Sequence, residues 1–299
     1  MSEPHAELAA AVESALGRRA VRWRRPHTGL SAADRFVVTF DDGSSVFVKA
    51  AVDARTAEWL RVDHEVMTSV GDDFVLDVIS WVTASGHPVL IMEDAHDAYW
   101  PADHERANGE PVAWCEGQVE ALLDTLDRVG ASTSPPLPPL GDGITRHWST
   151  IAADPSPYLG LGLFDERWLS STADALVRAE AAVDFSGDAL VHNDVRSDNV
   201  CFRGHRTILV DWSHARRGNP VHDRAALAVT LPLEGGPEPF ALLPEEGKFA
   251  AWHAGQALNR MVGGSEGAPP WLIAVLGRMA AVALRWASLS LGVAPPTTP

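Results

Sequence analysis

Cysteine is scarce. Cys115 and Cys201 are the only two in 299 residues, and they stand too far apart for a redox pair or a metal site of short spacing. A reducing, cytoplasmic setting therefore suits the chain. Positive charge is also short, with Lys plus Arg totalling 24 against 40 Asp plus Glu and a formal charge of -16. Such a balance holds a phosphate backbone poorly, which argues against nucleic acid as a partner. An amphipathic stretch at 5–16 takes the place of the basic start and continuous apolar core of a secretion signal. The longest apolar run, 271–286, is interrupted by Arg278 and Arg285 and is too short and too charged to span a bilayer. It is expected to be a buried helix, with no membrane partner. No internal repeat is visible.

What is present is globular. Hydrophobic residues make up 46% of the chain, enough for a substantial core and two modest domains. Residues 21–92 favour a small antiparallel sheet of short β-branched and aromatic runs separated by turn residues. The clearest runs, 35–40 and 46–50, flank Asp41-Asp42-Gly43-Ser44, a hairpin turn because Gly takes positive φ and Asp enters turns readily. Lys49 then lies near the end of its strand. Apolar spacing predicts a helix over 54–70, and the runs 74–82 and 89–92 resume strand character across a turn at 83–88. Beyond Met92 helical periodicity dominates, with helices expected at 112–129, 167–183, 223–230, 244–262 and 271–291. The Pro-rich stretch 132–143 cannot continue a helix. A second hairpin is expected at 200–210, turning at Gly204-His205.

The densest chemistry lies in Leu190-Val191-His192-Asn193-Asp194-Val195-Arg196-Ser197-Asp198-Asn199-Val200 and Ile208-Leu209-Val210-Asp211-Trp212. Phosphoryl transfer to a hydroxyl needs a carboxylate within reach of that hydroxyl and oxygen ligands for Mg²⁺. Asp194, Asn199 and Asp211 have those identities. The hairpin lets Asn199 enter and Asp211 leave side by side. Taken singly, each of these residues also suits a turn or a strand cap.

The pattern His-x-Asp with a later Asn and Asp resembles the catalytic loop and metal-binding strand end of the aminoglycoside phosphotransferase and choline kinase group, relatives of protein kinases. The resemblance implies an α+β fold with a small antiparallel-sheet nucleotide lobe, residues 1–95, and a larger helical catalytic and substrate lobe, residues 96–299. It implies ATP and Mg²⁺ as cofactors. In its light Asp194 is the catalytic aspartate, Asn199 and Asp211 the magnesium ligands, His192 a brace for the loop, and Asp223 a residue that anchors the loop. Arg196 would neutralise the moving phosphoryl group, a salt bridge to Asp198 being its structural alternative. Val46-Phe47-Val48-Lys49 resembles the strand lysine that aligns the phosphates, with Glu65 as its acidic partner. Lys49 is then expected to serve the nucleotide rather than the stability of the fold.

Ser31 belongs to the loop 27–34 that would cover the phosphates, although that loop lacks both the repeated glycines and the Gly-Lys-Ser/Thr of phosphate loops. Met92, Glu93 and Ala95 resemble the hinge that meets adenine. Asn193 stands where many antibiotic kinases of the group carry Gly. The function implied is a small-molecule kinase. Its expected acceptor is an aminoglycoside-like or other amino-bearing antibiotic, drawn by carboxylates such as Asp97, Asp103, Glu105 and Glu110, with Trp148 and Trp252 as apolar walls. A metabolic kinase of an amino alcohol, sugar or amino acid and a nucleotide-binding pseudokinase are the alternatives. A protein kinase is disfavoured, because no Asp-Phe-Gly or Ala-Pro-Glu segment is present.

Overall fold

A computed structural model describes residues 4–26, 32–102, 112–263 and 270–297. The chain forms two compact units, residues 1–138 with 188–217, and residues 139–187 with 218–299.

The first unit opens with α1 (Ala6–Leu16), β1 (Ala20–Arg24), β2 (Asp34–Phe40), β3 (Ser45–Ala50), α2 (Ala54–Ser69), β4 (Val78–Ala84) and β5 (His87–Glu93). The five strands make one antiparallel sheet in the order β1-β2-β3-β5-β4, as the alternation of the sequence anticipates. Period-two alternation decides which residues are buried together. Phe36, Val38, Phe40, Val46, Val48, Ala50, Val89 and Ile91 pack with Leu8 and Val12 of α1 in one core. Arg35, Val37, Phe47 and Lys49 consequently occupy the opposite face. The β2–β3 turn has Gly43 at φ 82, and β4 meets β5 through Ser85 and Gly86, both at positive φ. That two-residue turn is tighter than the 83–88 connection expected, because both central residues adopt the left-handed region. α2 starts at a capping box in which Asp53 and Thr56 satisfy each other's backbone N–H.

Strand β4 begins at Val78 rather than at 74. Phe74 is instead claimed by a second sheet element, its carbonyl accepting the Leu209 N–H at 2.9 Å while its ring meets Trp212. The unit continues with α3 (Gln118–Ala131), β6 (Ala189–Val191), the hairpin β7 (Val200–Arg203) and β8 (Arg206–Leu209), and β9 (Arg216–Gly218) paired to β6. Gly204 turns the β7–β8 hairpin at φ 61, as anticipated.

The second unit is helical: α4 (Trp148–Ala153), α5 (Ser156–Leu159), α6 (Glu166–Ala181), α7 (Val221–Thr230), α8 (Pro239–Leu242), α9 (Gly247–Gly263) and α10 (Pro270–Leu291). The fold class is therefore α+β. Glu180 is buried and accepts the backbone N–H of His147 at 2.9 Å and of Trp148 at 2.9 Å, satisfying the open N-terminus of α4. α10 has the length and apolar composition of a membrane-crossing helix. It packs on α9 and buries Leu276, Ala280, Ala283, Leu284, Trp286 and Ala287, so it is a core helix with one exposed face.

One glycine fixes the close approach of two segments in this unit. Gly187 has φ 146, and a Cβ there would lie 2.6 Å from the carbonyl oxygen of Gly218. Both the backbone conformation and the backbone contact oppose any side chain. Gly187→Ala is expected to destabilise the protein by about 2 kcal/mol or more; a melting temperature equal to that of the wild type would remove this reading.

Candidate active site

Lys49 points from the sheet face away from α1. Its Nζ donates to Asp63 Oδ2 at 2.8 Å and to Asp211 Oδ1 at 3.1 Å. Burial alone would favour a neutral amine, yet the two carboxylates outweigh it and hold Lys49 above the usual lysine range. Asp211 is held well below the usual carboxylate range, chiefly by the Lys49 charge. Burial pushes Asp63 upward while Lys49 pulls it back.

The acidic partner of Lys49 is thus Asp63, not Glu65. Two residues along a helix rotate a side chain by about 200°, so the two cannot share a face. Asp63 lies on the buried stripe of α2 with Thr56, Leu60 and Met67. A charge inside an apolar stripe was the sequence signal for it.

The loop after β6 brings the other candidates together. His192 is fully buried, and burial lowers its imidazole to about 4, so the ring is neutral. Its Nε2 meets the Val210 carbonyl at 3.0 Å, and its Nδ1 accepts the Asp194 N–H at 3.3 Å. The carbonyl needs a donor, which fixes the proton on Nε2. His192 braces the loop as expected.

Asn193 has φ 63, and its amide donates to the His214 carbonyl at 3.1 Å. The turn needs the left-handed region, which Gly enters freely and Asn tolerates; both residue types therefore suit this position. A short 3₁₀ turn, Ser197–Asn199, then delivers Asn199, whose Nδ2 donates to the Asp194 carbonyl at 2.9 Å and to Asp194 Oδ2 at 3.0 Å.

The hairpin closes the set. Val210 N–H donates to the Asn199 carbonyl at 3.0 Å, so the residue before Asp211 sits beside Asn199. Asp211 itself has φ 64, a strained conformation for a non-glycine residue that the Lys49 contact and the Ser213 hydroxyl at 3.1 Å support. Burial raises the Asp194 carboxyl above its ordinary range, with Arg196 opposing. Arg196 spans two carboxylates, Asp194 and Asp198, at 3.3 Å each. Ser213 and Asp63 are the members that the sequence reading missed.

The segment after β5 is anchored to the β7–β8 hairpin. Met92 and Ala95 are buried, and the Glu93 side chain is taken up by Arg203 and Arg206 of the β7–β8 hairpin. Arg203 also reaches Asp97 at 2.6 Å. Asp97 is thereby paired within its own unit. Ser31, Asp103, Glu105 and Glu110 lie outside the described residues. Trp148 is wholly buried and donates its indole N–H to the Ala251 carbonyl at 2.7 Å, so it is a core residue and not a pocket wall. Trp252 is also buried, and Asp223 is buried on α7.

Residues 23–258 match the model of the APH phosphotransferase enzyme family. No curated protein sequence matches the chain. Among solved structures, an aminoglycoside phosphotransferase from Alicyclobacillus acidocaldarius is similar at TM-score 0.57 and 16% identity, covering 98% of this chain and 96% of that one. A choline/ethanolamine kinase family protein from Mesorhizobium loti follows at TM-score 0.55, 15% identity and 91% coverage of each chain. A macrolide 2'-phosphotransferase from Brachybacterium faecium has TM-score 0.51 and 14% identity, with 91% of this chain and 98% of that chain covered. These structures share the fold, and the family model covers most of the sequence, including every residue of the His192 to Asp211 constellation. The chain belongs to the APH phosphotransferase enzyme family.

Proposed function

We propose that the chain transfers the γ-phosphoryl group of ATP, with Mg²⁺, to a hydroxyl of an amino-bearing small molecule of the aminoglycoside-like antibiotic kind. The carrying observation is the single hairpin that sets Asn199 against Asp194 and presents Asp211 to Lys49. In this reading residues 1–95 supply the nucleotide lobe and 96–299 the catalytic and acceptor lobe.

The residues suit magnesium-nucleotide. With its Nδ2 committed to Asp194, Asn199 offers its amide oxygen, and Asp211 offers a carboxylate held ionised by Lys49. Two oxygen donors suit a hard cation that completes its shell with water and phosphate. Among the described residues no group of three His, Cys, Asp or Glu could hold a metal alone, in keeping with a metal that arrives with its nucleotide. When bound, magnesium-nucleotide supplies the phosphoryl group and offsets its negative charge.

The chain's own residues do the rest. Asp194 accepts the proton of the acceptor hydroxyl, and burial makes its carboxylate a stronger base than one in water. Asn199 and the His192 brace fix its direction. Arg196, beside Asp194, meets charge on the transferred group. Lys49 aligns the phosphates from its strand. The excess of 40 acidic over 24 basic residues favours a cationic acceptor.

A mass-spectrometric screen of hydroxylated amines and neutral hydroxylated compounds, run with Mg²⁺-ATP, tests the proposal. Gain of one phosphoryl group on amino-bearing compounds, abolished by chelator, is expected. Asp211→Asn should weaken the magnesium dependence of nucleotide binding. Transfer only to neutral or anionic acceptors would overturn the acceptor class, and transfer unaffected by chelator would overturn the metal's role.

A further inference from the structure

His192 and Asn193 are consecutive, and each ties a different point of the strand end that carries Asp211. Before Asp211, the His192 ring donates to the Val210 carbonyl at 3.0 Å. After it, the 3₁₀ turn Trp212–His214 comes back to the loop, where the Asn193 amide donates to the His214 carbonyl at 3.1 Å. Asp211 therefore sits between two ties made by neighbouring residues of the loop that carries Asp194. Its φ of 64 is a conformation that a non-glycine residue keeps only where its surroundings over-determine it. The tie after Asp211 is part of that support.

The same turn is held from α2. Trp59 and Asp63 are four residues apart and share a face of that helix. Lys49 Nζ joins Asp63 to Asp211, and the Trp59 ring meets the His214 imidazole edge to face with centroids 6.0 Å apart. One short turn is thus bracketed by α2 on one side and by the catalytic loop on the other. Without the Asn193 amide, its far end is left to α2 and no longer follows Asp194 and Asn199. The backbone of residue 193 does not itself ask for an amide, since Gly adopts φ 63 with less strain. What Asn adds there is the donor.

We propose that Asn193 is a positioning residue for phosphoryl transfer, its amide fixing the turn after Asp211 to the catalytic loop and so setting the Asp211 carboxylate against Asn199. This rests on the nucleotide reading above, in which those two residues offer their oxygens to magnesium. Asn193 acts through Asp211 and needs no contact with the nucleotide.

Calorimetric titration of the folded chain with ATP, once in Mg²⁺ and once in chelator, tests the assignment without any turnover. Asn193→Gly is expected to lose about 3- to 10-fold of the affinity that magnesium adds, roughly the worth of one hydrogen bond, while ATP affinity in chelator stays within about twofold of the wild type. Asn193→Ala removes the same donor and adds a Cβ in the left-handed region, so it should melt at a lower temperature than Asn193→Gly yet lose the same magnesium enhancement. In an Asp211→Asn background, Asn193→Gly should cost no further enhancement, because the two residues act as one unit. Equal weakening with and without magnesium would mark a general disturbance and overturn the proposal. Wild-type enhancement in Asn193→Gly, or a loss that simply adds to that of Asp211→Asn, would overturn it too, leaving the nucleotide reading intact. A wild-type chain that binds ATP no more tightly in Mg²⁺ than in chelator would instead remove that reading and this proposal together.

Discussion

Asp194→Asn is expected to lower turnover about 100- to 10,000-fold, the usual worth of a positioned general base, while leaving magnesium-nucleotide affinity near that of the wild type. The substitution keeps shape and hydrogen-bonding capacity, so Asn199 retains an oxygen to donate to and the loop brace through His192 is untouched. What disappears is the ability to take up a proton. Loss confined to kcat, with KM for ATP little changed, is the signature of a group that acts in the transition state. Asp211→Asn differs because it removes one of the two counter-charges of Lys49 and, in the proposed reading, the negative charge offered to the metal. The two aspartates should therefore separate in a binding titration even though both variants are slow. Near-normal turnover in well-folded Asp194→Asn protein would refute the assignment.

Much of this site was legible in the sequence because its geometry is local. Asp194 and Asn199 lie on one loop, and the hairpin between Asn199 and Asp211 is written in short β-branched runs around Gly204. Lys49 was found because its strand and the turn at Gly43 are equally local. The sheet was legible for the same reason. Its edges were less so: Phe74 reads as strand by composition, yet its backbone bonds to Leu209, a partner far along the chain that periodicity cannot reveal.

The misses share a cause. Glu65 and Asp63 differ by two residues on one helix, and only the rotation of α2 about its axis decides between them. Trp148 looked like an apolar pocket wall by composition, but its ring is wholly buried and its indole N–H donates to the Ala251 carbonyl.

Lys49→Met is expected to cost about 3 to 5 kcal/mol of stability as well as activity, because it strands a buried carboxylate. This reverses the expectation that Lys49 serves the nucleotide alone. The side chain of Asp63 is 2% exposed, and Lys49 Nζ at 2.8 Å is the charge that compensates it. Asp63 already titrates above its ordinary value of 3.8 because of burial; without Lys49 it rises further, and Asp211 nearby adds repulsion. A native pKa above the unfolded one leaves stability intact below the unfolded value and erodes it as pH rises toward the native value. The penalty of Lys49→Met should therefore be small near pH 4 and grow toward neutrality. Adding Asp63→Asn removes the stranded charge, so the double variant should regain most of the lost stability and remain inactive. Denaturant melts of the four proteins at two pH values measure the coupling directly. If the double variant is no more stable than Lys49→Met at neutral pH, the two side chains do not compensate one another, and the stability of α2 against the sheet must come from its apolar stripe alone.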